Sequence, residues 1–532
     1  MRFGSLAFAA ALLAAPALSA ELPRLETKNG NHALLVDGQP FLVLGAQVNN
    51  SSAWPAALPK VWPVVNQLHA NTVQVPIAWE QIEPTEGKFD FSFLDQLLKE
   101  ARANDKRLIL LWFATWKNTS PNYTPAWVKL DNKRFPRMLD AKGETHYALS
   151  PFARSTLEAD KRAFVKLMQH LKANDPQNTV IVVQVQNEAG TYRSARDYSP
   201  EANRLFAAPV PEAVRTYFRK GPGNWTKLFG RDAELYFHSW AVASYIDAVA
   251  AAGKAVKPLP MYANAALQSD PFGWQDPNTF ASGGPSHAVI DVWKASAPHI
   301  DWVSPDIYNP DHKAYLEFLR HYARPDNPLF VAETGNGKEY ARYFFATLGK
   351  NAIGFSPFGM DATGYSNFPL GAPKISEETL AAFGRTYQLF APMQGVWAKA
   401  AAEGKVWGVA EPTDPAAKHT QTMDLGKYKA TVTFGRPQFG MDAPRGNEWP
   451  SGGLAVAQLG PDEYLVTGFN ARIEFALTNP GKDQLLFNRV EEGHYVDGKW
   501  VFERLWNGDQ TDYGLNFTGA QQVLRVTLAS IR

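Results

Sequence analysis

The chain has 532 residues, too many for one ordinary core, and its length suits a barrel-sized domain plus an appended one. Its 53 basic and 52 acidic side chains leave a net charge of +1, which gives no field to gather nucleic acid or an anionic membrane; a neutral partner fits better. With no cysteine there is no disulfide framework, thiolate nucleophile or Cys-ligated zinc.

In chain order, Met1-Arg2-Phe3 and the short apolar run 6–15 read as a secretory leader over residues 1–20, cleaved after Ala20. The expectation is export, to the periplasm or the exterior. No later segment is apolar for long enough to span a bilayer. Residues 33–45 read as two strands about the Asp37-Gly38 turn, the second opening a barrel. A helix over 58–69 follows. The second strand, 71–80, contains Pro76, which cannot donate to a ladder and argues mildly against a central position; it ends at Trp79-Glu80. The next helix, 93–104, has Phe93, Leu94, Leu97, Leu98 and Ala101 at helical spacing. Strand three, 107–118, carries Trp112 and Trp116, four apart and therefore on one face.

After a helix at 156–173, the β-branched run from Val180 ends abruptly in Asn187-Glu188, as a strand buried on both faces would. A polar insertion and a helix at 232–252 follow. Strand five covers 259–265 and strand six 300–308. Strand seven, 328–336, again ends in a glutamate, Glu333, followed by Gly335 and Asn336. Strand eight lies at 352–358 and the last helix at 376–389. Eight strands alternating with helices predict an α/β fold, a (β/α)8 TIM barrel over 21–400 with an N-terminal hairpin. From 401 to 532 the texture changes to short alternating strands, among them 428–434, 463–468, 484–490 and a hairpin at 494–502, so a smaller C-terminal all-β, sandwich-like domain is expected. Whether that domain binds glycan or buttresses the barrel is left open.

Chemistry in a parallel barrel gathers at the carboxyl ends of the strands. A glutamate there is more often a loop or helix-terminal charge, so Glu188 or Glu333 alone says little. Together they suit glycoside hydrolysis, in which one ionised carboxyl attacks the anomeric carbon and one protonated carboxyl assists the leaving oxygen. Glu80, Asp306 and Asp361 also close strands and read equally as sugar contacts or structural loop carboxylates. Of Trp112 and Trp116, one offers its face to a sugar while the other packs as core. Tyr308 is either a core phenol or a support for the site. The eleven histidines contain no H-E-x-x-H pattern, there is no G-x-S-x-G elbow, and the chemistry needs no metal or cofactor. The sixteen tryptophans favour a carbohydrate partner only modestly.

The stretches Gly45-Ala46-Gln47-Val48-Asn49-Asn50-Ser51-Ser52, Trp79-Glu80-Gln81-Ile82-Glu83-Pro84, Trp112 to Asn118 and Val331 to Asn336, with Asn187-Glu188, resemble the bacterial family 35 β-galactosidases. The resemblance implies a retaining exo-β-galactosidase acting on terminal non-reducing β-D-galactosyl residues by double displacement. It makes Glu188 the acid/base, Glu333 the nucleophile, Asn187 a donor to the sugar 2-hydroxyl and Tyr308 a positioner of Glu333. Glu80, Trp116 and Asn336 are read as further substrate contacts. Subsite details transfer poorly from the longer animal and fungal members. The alternatives are another retaining β-glycosidase (glucuronidase, mannosidase or arabinosidase) or a secreted barrel that binds glycan without cleaving it. The oligomeric state is not legible.

Overall fold

The computed structural model describes residues 21–435, 443–496 and 498–532. The expected leader and the Asp497 of the C-terminal hairpin turn lie outside the described residues. Among those described, no helix is long and apolar enough to cross a membrane.

Eight parallel strands form the barrel: β1 (Val43–Gln47), β2 (Thr72–Ala78), β3 (Arg107–Lys117), β4 (Val180–Asn187), β5 (Met261–Ala266), β6 (Trp302–Ile307), β7 in two pieces (Phe330–Val331 and Glu333–Thr334) and β8 (Gly354–Phe355). Each pairs with its sequence neighbour, and the ring closes through β7, whose first piece pairs with β8 and second with β6. A helix follows each strand: α1 (Trp62–Gln67), α2 (Ser92–Ala103), α3 (Arg154–Asn174), α4 (Ala233–Lys254), α5 (Ile290–Ser296), α6 (His312–Tyr322), α7 (Tyr343–Leu348) and α8 (Glu377–Phe390). The alternating βα pattern is thus realised as the expected (β/α)8 barrel.

Successive strand residues point to opposite faces, and the two faces form separate cores. Val73, Val75, Leu108, Leu110, Val183 and Val185 point out to the helices. Ile109, Leu111, Phe113, Ile181, Tyr262 and Trp302 fill the inside. Leu34 and Val36 join the inner cluster, so the N-terminal sheet (Arg24–Lys28, Asn31–Val36, Gln39–Pro40) plugs the barrel's amino end and leaves the carboxyl end for chemistry. The expected hairpin is present about Asp37-Gly38, both at positive φ, but its second arm stops at Pro40. The barrel strand starts afresh at Val43, because the chain must turn from an antiparallel pairing into the parallel ring. Pro76 sits inside β2 opposite Leu111 without a register shift.

Among the described residues, the C-terminal strands make two antiparallel sheets, one of six strands and one of four, with Tyr428, Val432, Phe434, Val456, Val466 and Leu524 between them. The outer face of the larger sheet continues the barrel core: Ala455, Leu465 and Phe469 share a cluster with Phe344 and Phe345 of α7, so this domain buttresses the barrel. At the junction, a Cβ on Gly408 would lie 2.1 Å from the Phe345 carbonyl oxygen. Gly408→Ala is therefore expected to cost about 1–3 kcal/mol, read as a lower denaturation midpoint; an unchanged midpoint would mean that the two backbones separate freely.

Candidate active site

The carboxyl ends of β4 and β7 bring together the glutamates that are 145 residues apart in sequence. Carboxylate oxygens of Glu188, Asp306 and Glu333 all lie within 4.8 Å of one another. Glu333 and Asp306 are buried and Glu188 is partly open. Asp306 and Glu333 stand side by side because β6 and β7 pair at those residues.

Glu333 sits in a cage of donors. Gln47 Nε2 donates to its Oε1 at 2.8 Å, Asn187 Nδ2 at 3.2 Å and Asn264 Nδ2 at 3.4 Å. The Tyr308 hydroxyl donates to Oε2 at 2.8 Å. Gln47 is oriented from below: Tyr262 donates to Gln74 Oε1 at 2.7 Å, and Gln74 Nε2 donates to Gln47 Oε1 at 3.2 Å. Asn187 is held by Lys117 Nζ, which donates to its Oδ1 at 2.8 Å. Four donors thus fix the position of this one carboxylate.

Glu188 is treated differently. Among the described residues no donor holds its carboxyl; its main chain is tied, with the N–H donating to Asn264 Oδ1 at 2.9 Å and the carbonyl accepting from Thr119 N at 3.0 Å. Burial first, then the charge of Glu333, push its carboxyl up to about 7, while Lys117 pulls weakly the other way. The environment thus separates two chemically identical side chains. Burial, then Glu333 and Glu188, also raise the Asp306 carboxyl well above its usual range. Tyr308 is held protonated by burial and by Glu333.

The approach to Glu188 is bent. Gln186 and Glu188 have φ of 65° and 45°, a left-handed conformation that L side chains rarely adopt and that clusters at functional sites. Between Trp112 and Lys117 of β3 the pairing slips, five residues against the two from Val185 to Asn187. Asp160 of α3 secures this bulge from behind, accepting from Trp112 Nε1 (2.8 Å), Thr115 Oγ1 (2.6 Å), Gln186 Nε2 (2.7 Å) and the Tyr245 hydroxyl (3.2 Å).

Two expected substrate contacts, Trp116 and Asn336, are corrected. Trp116 is 0 % exposed and lies edge-on to Tyr245 of α4. It shares the helix-side cluster with Trp112, so neither tryptophan offers a face to the mouth: the face they share is the outer one. Asn336 ties loops together, accepting from Ala372 N at 2.7 Å and donating to the Gly359 carbonyl at 3.4 Å. Glu80 pairs with Lys129 Nζ at 2.7 Å and does not join the carboxyl cluster. Asp361 is a loop carboxylate, accepting from the Asn49 main chain and from Ser52 Oγ, each at 2.7 Å. Asn187 and Tyr308 do converge on Glu333.

Gln47, Lys117, Asn264 and Asp160 were not read from the sequence as site residues. The first three share a signal, a polar residue at or near the carboxyl end of an apolar strand. Asp160 had none, being one acid among several on an amphipathic helix. The three clustered carboxyls are also the group of acidic and histidine side chains, among the described residues, with the spacing to hold a metal ion. Both Glu333 oxygens and Asp306 Oδ2 already accept hydrogen bonds there.

Residues 52–251 match the family model described as Beta-galactosidase, that of glycoside hydrolase 42. Residues 383–518 match a model described as Domain of unknown function (DUF5597). A curated relative, a beta-galactosidase of Xanthomonas manihotis, is 27% identical over 209 residues, 38% of this chain and 32% of that one. The chain thus spans about a third of that relative's length. Among solved structures, the beta-galactosidase of Bacillus circulans sp. alkalophilus is similar with a TM-score of 0.48 at 14% identity, over 71% of this chain and 62% of that one. That of the psychrophilic Marinomonas ef1 gives 0.48 at 13% identity, over 67% and 61%.

Proposed function

We propose that the chain is a retaining β-galactosidase that releases terminal β-D-galactosyl residues by double displacement. The observation that carries this reading is the glutamate pair, with oxygens of both within 4.8 Å. That upper bound on the nearest oxygens suits the roughly 5–5.5 Å carboxyl separation of retaining glycosidases better than the roughly 6.5–9.5 Å of inverting ones. Glu333, caged by its four donors, attacks the anomeric carbon while the Glu188 proton passes to the departing oxygen. Esterification then removes the Glu333 charge that held the Glu188 proton on. Glu188 becomes a better base for the water that cleaves the intermediate, and the proton it takes restores the starting state.

Galactose as the sugar is supported by the sequence resemblance at strands one to three and by the description of the matching model. That model is of glycoside hydrolase 42 rather than 35, and the mechanism needs only the two glutamates and their donors. A panel of aryl β-glycosides that differ only in the sugar tests the reading. The galactoside is expected to have the highest kcat/KM, by more than tenfold, because buried polar groups paired to an axial 4-hydroxyl are left unpaired by its epimer. A faster glucoside, glucuronide, mannoside or arabinoside would move the substrate and keep the mechanism. No turnover of any would leave the non-catalytic glycan-binding reading.

A further inference from the structure

Outside the ring of strands, a cavity of about 350 Å³ lies where the barrel's helix layer meets the β domain, within the size range of small-molecule sites. Three segments enclose it: the turn after β7 (Lys338, Arg342), α8 (Glu378, Ala382, Arg385) and the β-domain loop that carries Trp449. Residues 378, 382 and 385 are four and three apart, so they share one face of the helix. None of the lining residues belongs to the donor cage of Glu333.

The charges in this cavity do not balance. Lys338, Arg342 and Arg385 line it against a single carboxylate, Glu378, which pairs with Lys338. Arg342 is 3 % exposed, and its guanidinium donates to the carbonyls of Glu411 and Glu339 and to the hydroxyls of Tyr343 and Thr413, which occupy its N–H groups without cancelling its charge. The buried Glu411 carboxylate is taken by Asn447 and the Gly452 N–H. Arg385 has no hydrogen bond or carboxylate partner among the described residues: its Nε is buried and unpaired, and its guanidinium lies over the Phe469 ring at 4.6 Å. Burial disfavours its charged form. A guanidinium left in this way is costly, and its planar fork fits two oxygens of a carboxylate or sulfate at once. The rest of the lining is apolar. Ala341, Ala381 and Ala382 face the Trp449 ring, which is 47 % exposed, so the cavity offers a surface for a body as well as a seat for a charge.

We propose that this junction cavity binds a ring-sized organic anion, with its carboxylate or sulfate on the Arg385 fork beside Arg342 and its body against Trp449 and the alanines. Two sources share that chemistry, an acidic sugar unit and a free aromatic acid. A ligand held there joins α8 to the β domain. The cavity is separate from the glutamate pair, so the proposal stands whether or not the chain is a hydrolase.

The test is calorimetry on the full-length protein at one ionic strength, with methyl β-glucuronide, benzoate, inorganic sulfate and, as a neutral control, methyl β-galactoside. At least one of the two organic anions is expected to bind saturably and to raise the thermal midpoint, and the one that does identifies the source. In Arg385→Met, which keeps an apolar stem over Phe469, this binding should weaken at least tenfold, and Arg385→Lys should recover part of the loss. Trp449→Ala, on the opposite wall, should weaken the organic anion and leave sulfate as it was, and it serves as the reading if Arg385→Met does not fold. No saturable binding of either organic anion overturns the proposal. So does a loss smaller than tenfold in a folded Arg385→Met, which would place the anion elsewhere, and so does sulfate that binds as tightly as both organic anions, since the body would then play no part.

Discussion

Replacing Glu333 by glycine is expected to lower turnover by several orders of magnitude for every β-glycoside, whatever its leaving group. The substitution removes the atom that bonds to the anomeric carbon, so no glycosyl-enzyme forms, and a better leaving group cannot compensate for a missing nucleophile. The side chains of Gln47, Asn187, Asn264 and Tyr308, which donate to Glu333, would then converge on a hole suited to a small anion. Added azide should occupy it and displace the leaving group in one inverting step, giving the α-glycosyl azide. Nuclear magnetic resonance of the product reads the anomer directly. Residual activity that rises steeply with leaving-group acidity, or a β-azide, would move the nucleophile's role away from Glu333.

Glu188→Ala should behave in the opposite way. Its loss removes protonation of the departing oxygen, which is severe for an alkyl or sugar aglycone and slight for dinitrophenol, already a good leaving group. A burst of phenol equal to the enzyme concentration should survive, followed by slow hydrolysis of the glycosyl-enzyme for want of a base. Azide entering on the vacated face should give the β-azide. The pH profile follows from the same group. The acid works protonated, and Glu188 is pushed up to about 7, so kcat/KM of the unmodified enzyme for an alkyl galactoside is kept below that pH and lost above it. In Glu188→Ala this basic limb should vanish for the dinitrophenyl substrate. A limb that persists would assign it to another group, Asp306 being the nearest titrating neighbour.

The strand ends that carry the two glutamates were readable because a strand buried on both faces is a continuous apolar run, and an abrupt change to polar residues marks where it leaves the core. The same reasoning failed at Trp116. Spacing of four in a strand puts Trp112 and Trp116 on one face, as found, but periodicity does not say which face. The helix layer, with Asp160 accepting from Trp112 Nε1 and Tyr245 edge-on to Trp116, decided that it is the outer one. Asn336 and Glu80 stand beside recognisable motifs, yet each is taken by a neighbour that the sequence places far away or on another loop, Ala372 and Lys129 respectively.

By itself, then, the sequence determined the class of fold, the order and number of barrel strands, the all-β character of the C-terminal part and the strand ends at which Glu188 and Glu333 sit. All of these depend on local periodicity, turn chemistry and strand ends, which a chain carries along its length. Only the tertiary structure decided how the two glutamates differ. Glu333 is held by donors from β1, β4, β5 and the end of β6, and Glu188 has its carboxyl left without them, and both facts arise from strands that meet only when the barrel closes. The same holds for Asp160 behind the bulge and for the unpaired Nε of Arg385 at the domain junction. Burial and hydrogen bonding between residues hundreds of positions apart set these environments, and no spacing within one strand encodes them.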